Sequence, residues 1–299
     1  MSYWLIVAAS LLVRVLGAVL VLALVPAGVI AVRAARGATG DFHPVRPSAI
    51  IWPPDVPDVQ GRRDVAITST RGDVIRGWYV SSANGAAIAL VPGTTSDRRH
   101  FIPEITALAQ HGFGLLAFDL PGAGLSDGQV TWGASERAAL SAVVAWLRAV
   151  DGVQRVGVVG FSQGSYTAVQ VAAEDKRIEA LVLEGAVGAY ENVTRQEFGQ
   201  WGLLSAVPAI IARRRAGYDP SEPRAIDVMR RYTGPVLFVN GTEDRDVPRA
   251  EADSLFAQAA GPKEILDVNG AAHGAYAKVA GDYLVRLVAF FERTLTHAP

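Results

Sequence analysis

The chain has 299 residues, half of them hydrophobic, with 28 Lys and Arg set against 29 Asp and Glu. Such a composition supports a sizeable packed core and excludes global disorder, and a net charge of −1 gives no electrostatic case for nucleic acid as a partner. With no cysteine present, disulfides, zinc–thiolate sites and thiol nucleophiles are excluded together.

At the N-terminus, residues 15–32 carry no charge and follow an apolar stretch interrupted by Arg14. At 1.5 Å rise per residue that run spans about 27 Å as a helix, close to the hydrocarbon thickness of a bilayer. The expectation is a transmembrane helix over residues 1–33, a single-pass anchor in contact with membrane lipid. Arg14 would snorkel to the interface, and Pro26 would only kink the helix. A cleaved signal peptide fits less well, because the apolar core is long and no small-x-small cleavage site follows it. Arg33, Arg36 and Arg46 after the span, against Arg14 before it, lean the remainder of the chain towards the cytoplasmic side. Residues 34–60, with Pro44, Pro47, Pro53, Pro54 and Pro57, predict an extended linker.

From residue 61 to 299 strand-like and helix-like segments alternate. Val65–Thr70 and Val74–Val80 flank a turn and predict an antiparallel pair. Ala86–Val91, Gly114–Phe118, Arg155–Gly160, Ala180–Leu183, Pro235–Asn240 and Lys263–Val268 are apolar runs of strand length. Helical patterns lie near 99–111, 133–149, 163–174, 250–260 and 277–295. Continuous apolar strands separated by helices predict an α/β fold, a mostly parallel sheet covered on both faces. Residues 188–233 are too long for an ordinary crossover and predict a small helical lid insertion. Within it, an apolar stretch containing Trp201 and Leu204 is followed by Arg213–Arg215. Two readings stay open. The stretch is either a helix packed on the body, its arginines complementing the C-terminal dipole, or a roof in which Trp201 and Leu204 line an acyl pocket.

Gly160-Phe161-Ser162-Gln163-Gly164 fits G-x-S-x-G between a strand and a helix. A turn that tight strains the serine backbone, needs small neighbours, and puts Oγ at a helix N-terminus where developing negative charge is stabilised. Ser162 is therefore the candidate nucleophile. Its base must be a histidine further along the chain, after the last strand. Of the five histidines, His273 in the small-residue loop 269–274 meets that condition, whereas His297 lies at the chain end. The acid belongs between them, after a strand. Asp244 is the first choice, Asp246 the second as a loop-bracing residue, and Glu184 a distant third. Two backbone N–H groups are needed for an oxyanion, and Gln163 and Thr94 are placed to supply them.

Leu120-Pro121-Gly122-Ala123-Gly124-Leu125-Ser126-Asp127-Gly128, the Ser162 elbow, residues 241–248 and the Asn269–Gly274 loop together resemble the α/β-hydrolase superfamily. More narrowly, they are similar to bacterial lysophospholipase-like and acylaminoacyl-peptidase-like serine esterases. The resemblance covers residues 61–299 and implies that Gly241-Thr242-x-Asp244 carries the acid. It departs at the oxyanion loop, where the family's usual His-Gly is Pro92-Gly93. Hydrolysis of a small acyl ester through an acyl-enzyme is the leading expectation, with no cofactor and no metal. A serine peptidase or thioesterase would use the same triad. A catalytically inactive, membrane-anchored binding module is the alternative of another class.

Overall fold

The structure, a computed structural model, describes residues 3–39, 46–279 and 281–296, with side chains 3–10, 18, 19 and 22 outside the description. Eight strands form one sheet: β1 Arg63–Thr68, β2 Val74–Val80, β3 Ala86–Val91, β4 Gly114–Phe118, β5 Arg155–Phe161, β6 Ile178–Glu184, β7 Val236–Gly241 and β8 Lys263–Val268. Their order is β1-β2-β4-β3-β5-β6-β7-β8. The pairings of β1 with β2 and of β2 with β4 are antiparallel, and every other neighbouring pair is parallel. This is the mostly parallel α/β sheet that the alternation of segments predicts.

Helices cover both faces: α2 Ile102–Gln110, α3 Ala134–Ala149, α4 Gln163–Ala172, α8 Arg249–Gln258, and the C-terminal α9 Tyr276–Val279 and α10 Gly281–Phe291. Because side chains alternate along a strand, a buried strand feeds two cores at once. In β3, Ala87, Ala89 and Val91 enter one core, while Ala86, Ile88 and Leu90 enter the other. The chain leaves β3 towards β4 on one side and then crosses to β5 on the other. Loops after β3 and β5 therefore diverge at a topological switch point, where α/β sheets open a crevice for ligands.

Between β6 and β7 the insertion folds as α5 Tyr190–Phe198, α6 Leu203–Ala216 and the short α7 Ala225–Val228. The N-terminal helix α1 spans Tyr3–Thr39, which carries helix six residues past the expected end of the anchor at residue 33. Its last turns lie against α6, with Ala34 and Ala38 buried on Ala209. Among the described residues no helix is long and apolar enough to cross a membrane. The expected single-pass anchor is thus without support as a described span, and part of it lies outside the described side chains.

The linker expectation is corrected as well. Pro44 lies outside the described residues. From Arg46 onward the segment is not helical, but neither is it a free tether. Ile50 and Trp52 are buried, and the Trp52 ring lies 5.3 Å from that of Trp78. Arg46 donates to the carbonyls of Gly124 and Ser126. Prolines exclude helix, but they do not stop two large apolar side chains from burying themselves, and that gain seats the segment on the body.

Candidate active site

Strand β5 ends at Phe161, and α4 starts at Gln163, leaving Ser162 alone to make the turn. It does so at φ 53° and ψ −114°, a left-handed backbone that a residue with a Cβ rarely adopts. The surroundings hold it there. A Cβ on Gly164 would fall 2.0 Å from the Val91 carbonyl oxygen, so only glycine lets the first turn of α4 press against the end of β3. One on Gly93 would fall 2.9 Å from the Phe161 ring and 3.0 Å from the Ser162 Cβ. The backbone after β3 therefore passes directly beside the serine, where an oxyanion donor has to be.

His273 lies on the loop between β8 and α9. Its Nδ1–H donates to Asp244 Oδ2 at 2.7 Å, with the two side chains 15% and 7% exposed. The other carboxylate oxygen, Oδ1, accepts the backbone N–H groups of Asp246 and Val247, both at 3.0 Å. A carboxylate only accepts, so the ring proton sits on Nδ1 and Nε2 is left as the basic nitrogen. Asp246 is exposed and meets Asp244 through its backbone. Glu184 faces elsewhere. Its carboxylate is fully buried and takes the Tyr283 hydroxyl, and burial pushes its pKa up to about 7. His100 stacks on Phe161, ring centroids 4.2 Å apart, and burial holds its pKa down to about 4, which keeps it uncharged beside the site.

Ser162 and His273 line one cavity of about 350 Å³ with Thr94, Thr95, Trp132, Val193, Gln196, Glu197, Arg245, Asp246 and Val247. Of the expected site residues, the structure brings Ser162, His273 and Thr94 to this cavity and sets Asp244 directly behind His273. Gln163, buried, follows the serine at the start of α4. Trp201 and Leu204 are not brought there. They are 62% and 53% exposed, and the insertion instead presents Val193, Gln196 and Glu197 of α5. The apolar stretch was legible, but which helix of the insertion faces the serine depends on how α6 packs against α1, a long-range contact that local pattern does not encode.

Sequence reasoning also missed Glu136. This fully buried carboxylate accepts from Thr131 N at 2.8 Å, Thr131 Oγ1 at 2.7 Å and Gly133 N at 2.9 Å, which fixes the turn before α3. Within that turn Trp132 is held at φ 55° and lines the cavity. Glu136 also accepts from Gln163 Nε2 at 3.4 Å, which leaves Gln163 Oε1 to accept the Thr94 hydroxyl at 3.3 Å. Both loops flanking the serine are thereby tied to α3. The signal was a glutamate at the third position of a helix, where a side chain reaches back to free N–H groups. Among the described residues no group of three or more His, Asp or Glu is arranged to hold a metal ion.

A strand-to-helix serine elbow at the switch point of this sheet, with an Asp-held histidine on a later loop, is the architecture of an α/β hydrolase. Residues 86–206 match the family described as alpha/beta hydrolase fold. An uncharacterized protein of Mycobacterium tuberculosis is 30% identical over 221 residues, which cover 71% of this chain and 72% of that protein. The uncharacterized protein YfhR of Escherichia coli is 23% identical over 226 residues, covering 73% and 75%. The chain belongs to the α/β-hydrolase family. In fold it resembles an esterase of Pyrococcus furiosus, with a TM-score of 0.72 at 22% identity, covering 85% of this chain and 98% of that one. It also resembles Est1E of Butyrivibrio proteoclasticus, solved with ferulic acid bound, with a TM-score of 0.64 at 20% identity, covering 77% and 99%.

Proposed function

We propose that the protein is a serine hydrolase that cleaves carboxylic esters of small acyl compounds through a covalent acyl-enzyme. The observation that carries this reading is the 2.7 Å contact between Asp244 and His273 on the rim of the cavity that also holds Ser162. His273 Nε2 takes the Ser162 proton as Oγ attacks the ester carbonyl, and the imidazolium so formed is stabilised by Asp244. The backbone N–H groups of Thr94 and Gln163 hold the tetrahedral oxyanion. His273 then returns the proton to the leaving alcohol, and water, activated by the same nitrogen, releases the acid. The fold shared with a protein named as an esterase favours an ester over an amide or thioester.

A panel of p-nitrophenyl esters, run beside aminoacyl anilides and acyl thioesters, tests the substrate class. Ester turnover well above the other two is the expected result. Cleavage of the anilides without the esters would move the protein to the peptidases.

We also propose that α1 associates with lipid, with a lean to a cytoplasmic catalytic domain. This reading is supported by the uncharged run 15–32 and by Leu11, Leu12, Leu16, Leu20 and Leu24, all more than half exposed. Full-length protein is expected in the membrane fraction after cell lysis and to resist a high-salt wash. Recovery of the intact chain in the supernatant would refute the association.

A further inference from the structure

Arg213 is 1% exposed although it lies near the end of a helix in the insertion. Its Nε donates to the Ala38 carbonyl in the last turn of α1 at 3.2 Å. The Nη2 group donates to Glu197 Oε2 at 2.8 Å, and Nη1 donates to Thr194 Oγ1. The guanidinium carbon lies 4.6 Å from the Tyr190 ring centroid and 5.1 Å from that of Phe198. Tyr190, Thr194 and Glu197 recur at helical spacing and form one stripe of α5. All three groups on that stripe are therefore seated by one side chain from α6, whose Nε–H reaches the last turn of α1.

Two routes lead from this seat to the serine cavity. Glu197 lines the cavity itself, together with Val193 and Gln196 from the same helix. Tyr190 stacks on Trp132, ring centroids 3.9 Å apart and 23° between planes, and Trp132 forms part of the cavity wall. On the other side, Ala38 is fully buried, and a Cβ on Gly37 would fall 3.0 Å from the Phe198 ring. Small residues at the end of α1 are what allow this close approach.

Resting on the reading that the Ser162 cavity takes an acyl ester, we propose that α1 is a working part of the substrate-selecting cap. Its C-terminal turn, through Arg213, sets the position of α5, and α5 with Trp132 sets the acyl chain length accepted. Arg213 is a positioning residue in this scheme, since it touches neither the serine nor the histidine. In this scheme an acetyl group stays beside Ser162, whereas an acyl chain of eight carbons extends along the α5 side of the same cavity. The consequence is unusual for an N-terminal helix: a change made on α1 alters selectivity at Ser162.

The test uses full-length protein, with kcat/KM measured on p-nitrophenyl acetate and p-nitrophenyl octanoate. Ala38→Leu wedges α1 away from α6, and Arg213→Lys keeps the charge but loses the planar fork that reaches carbonyl and carboxylate together. Each is expected to lower the octanoate-to-acetate ratio about tenfold, the order of a misfitted acyl contact. The double variant should add little to either single change, because both act on one seat. Arg36→Ala, exposed on the same helix, should leave the ratio unchanged. If Ala38→Leu fails to accumulate, Arg213→Lys alone decides. Amide exchange over residues 190–198 gives a second readout that needs no turnover, and faster exchange in both variants is expected. An unchanged ratio with unchanged exchange would overturn the proposal, as would an equal loss on both esters. A wild-type enzyme inactive on every ester would count against the proposed function instead, and exchange over α5 would then decide this inference.

Discussion

Ser162→Ala is expected to remove ester turnover by about six orders of magnitude, the loss seen when a nucleophile that works as one unit with its base is deleted. The fold should survive, because Ser162 contributes a strained backbone position that alanine also occupies and no side-chain bond that caps α4. His273→Ala is expected to reach a similar floor, and the double variant should fall no further. Additive losses would mean that the two residues do not act together. A Ser162→Ala enzyme that kept most of its activity would place the nucleophile elsewhere in the cavity.

The second large effect is expected at Asp244. Asn at this position keeps the size and one oxygen, yet its amide can donate to Nδ1 and so stabilise the tautomer with the proton on Nε2. That tautomer has no lone pair to accept from Ser162, and kcat is expected to fall about 10⁴-fold with KM little changed. Asp246→Asn should cost far less, since residue 246 meets the carboxylate of Asp244 through its backbone N–H at 3.0 Å, which asparagine retains. A reversed ranking of the two variants, measured by steady-state kinetics, would transfer the acid role to Asp246.

The parts of this molecule that could be read from the sequence are those governed by short-range rules. Strand β3 is a run of buried apolar residues bounded by a glycine turn and Pro92, and its ends fall where the apolar run predicts them. The serine elbow was legible because the glycines around Ser162 answer to backbone contacts within a few residues and to one neighbouring strand. Glu136 was missed although its signal was local, because a glutamate near a helix start ordinarily serves only as a cap. Here the same carboxylate reaches Gln163, 27 positions away. The seat of Trp52 on Trp78 and the burial of Arg213 were not legible at all. Each depends on which remote surface the chain meets, and an arginine in a basic run gives no hint that α1 and α5 will enclose it.

In the proposed mechanism Ser162 is a nucleophile made reactive by His273. Labelling with a fluorophosphonate probe tests it most directly, because the probe is attacked by an activated serine and needs no knowledge of the natural ester. In the folded wild-type protein a single stoichiometric adduct is expected, mapped by peptide mass spectrometry to Ser162. Ser162→Ala should give no adduct, and His273→Ala should slow labelling by orders of magnitude. A folded wild-type protein that took up no probe, or carried it on another serine, would refute Ser162 as the activated nucleophile.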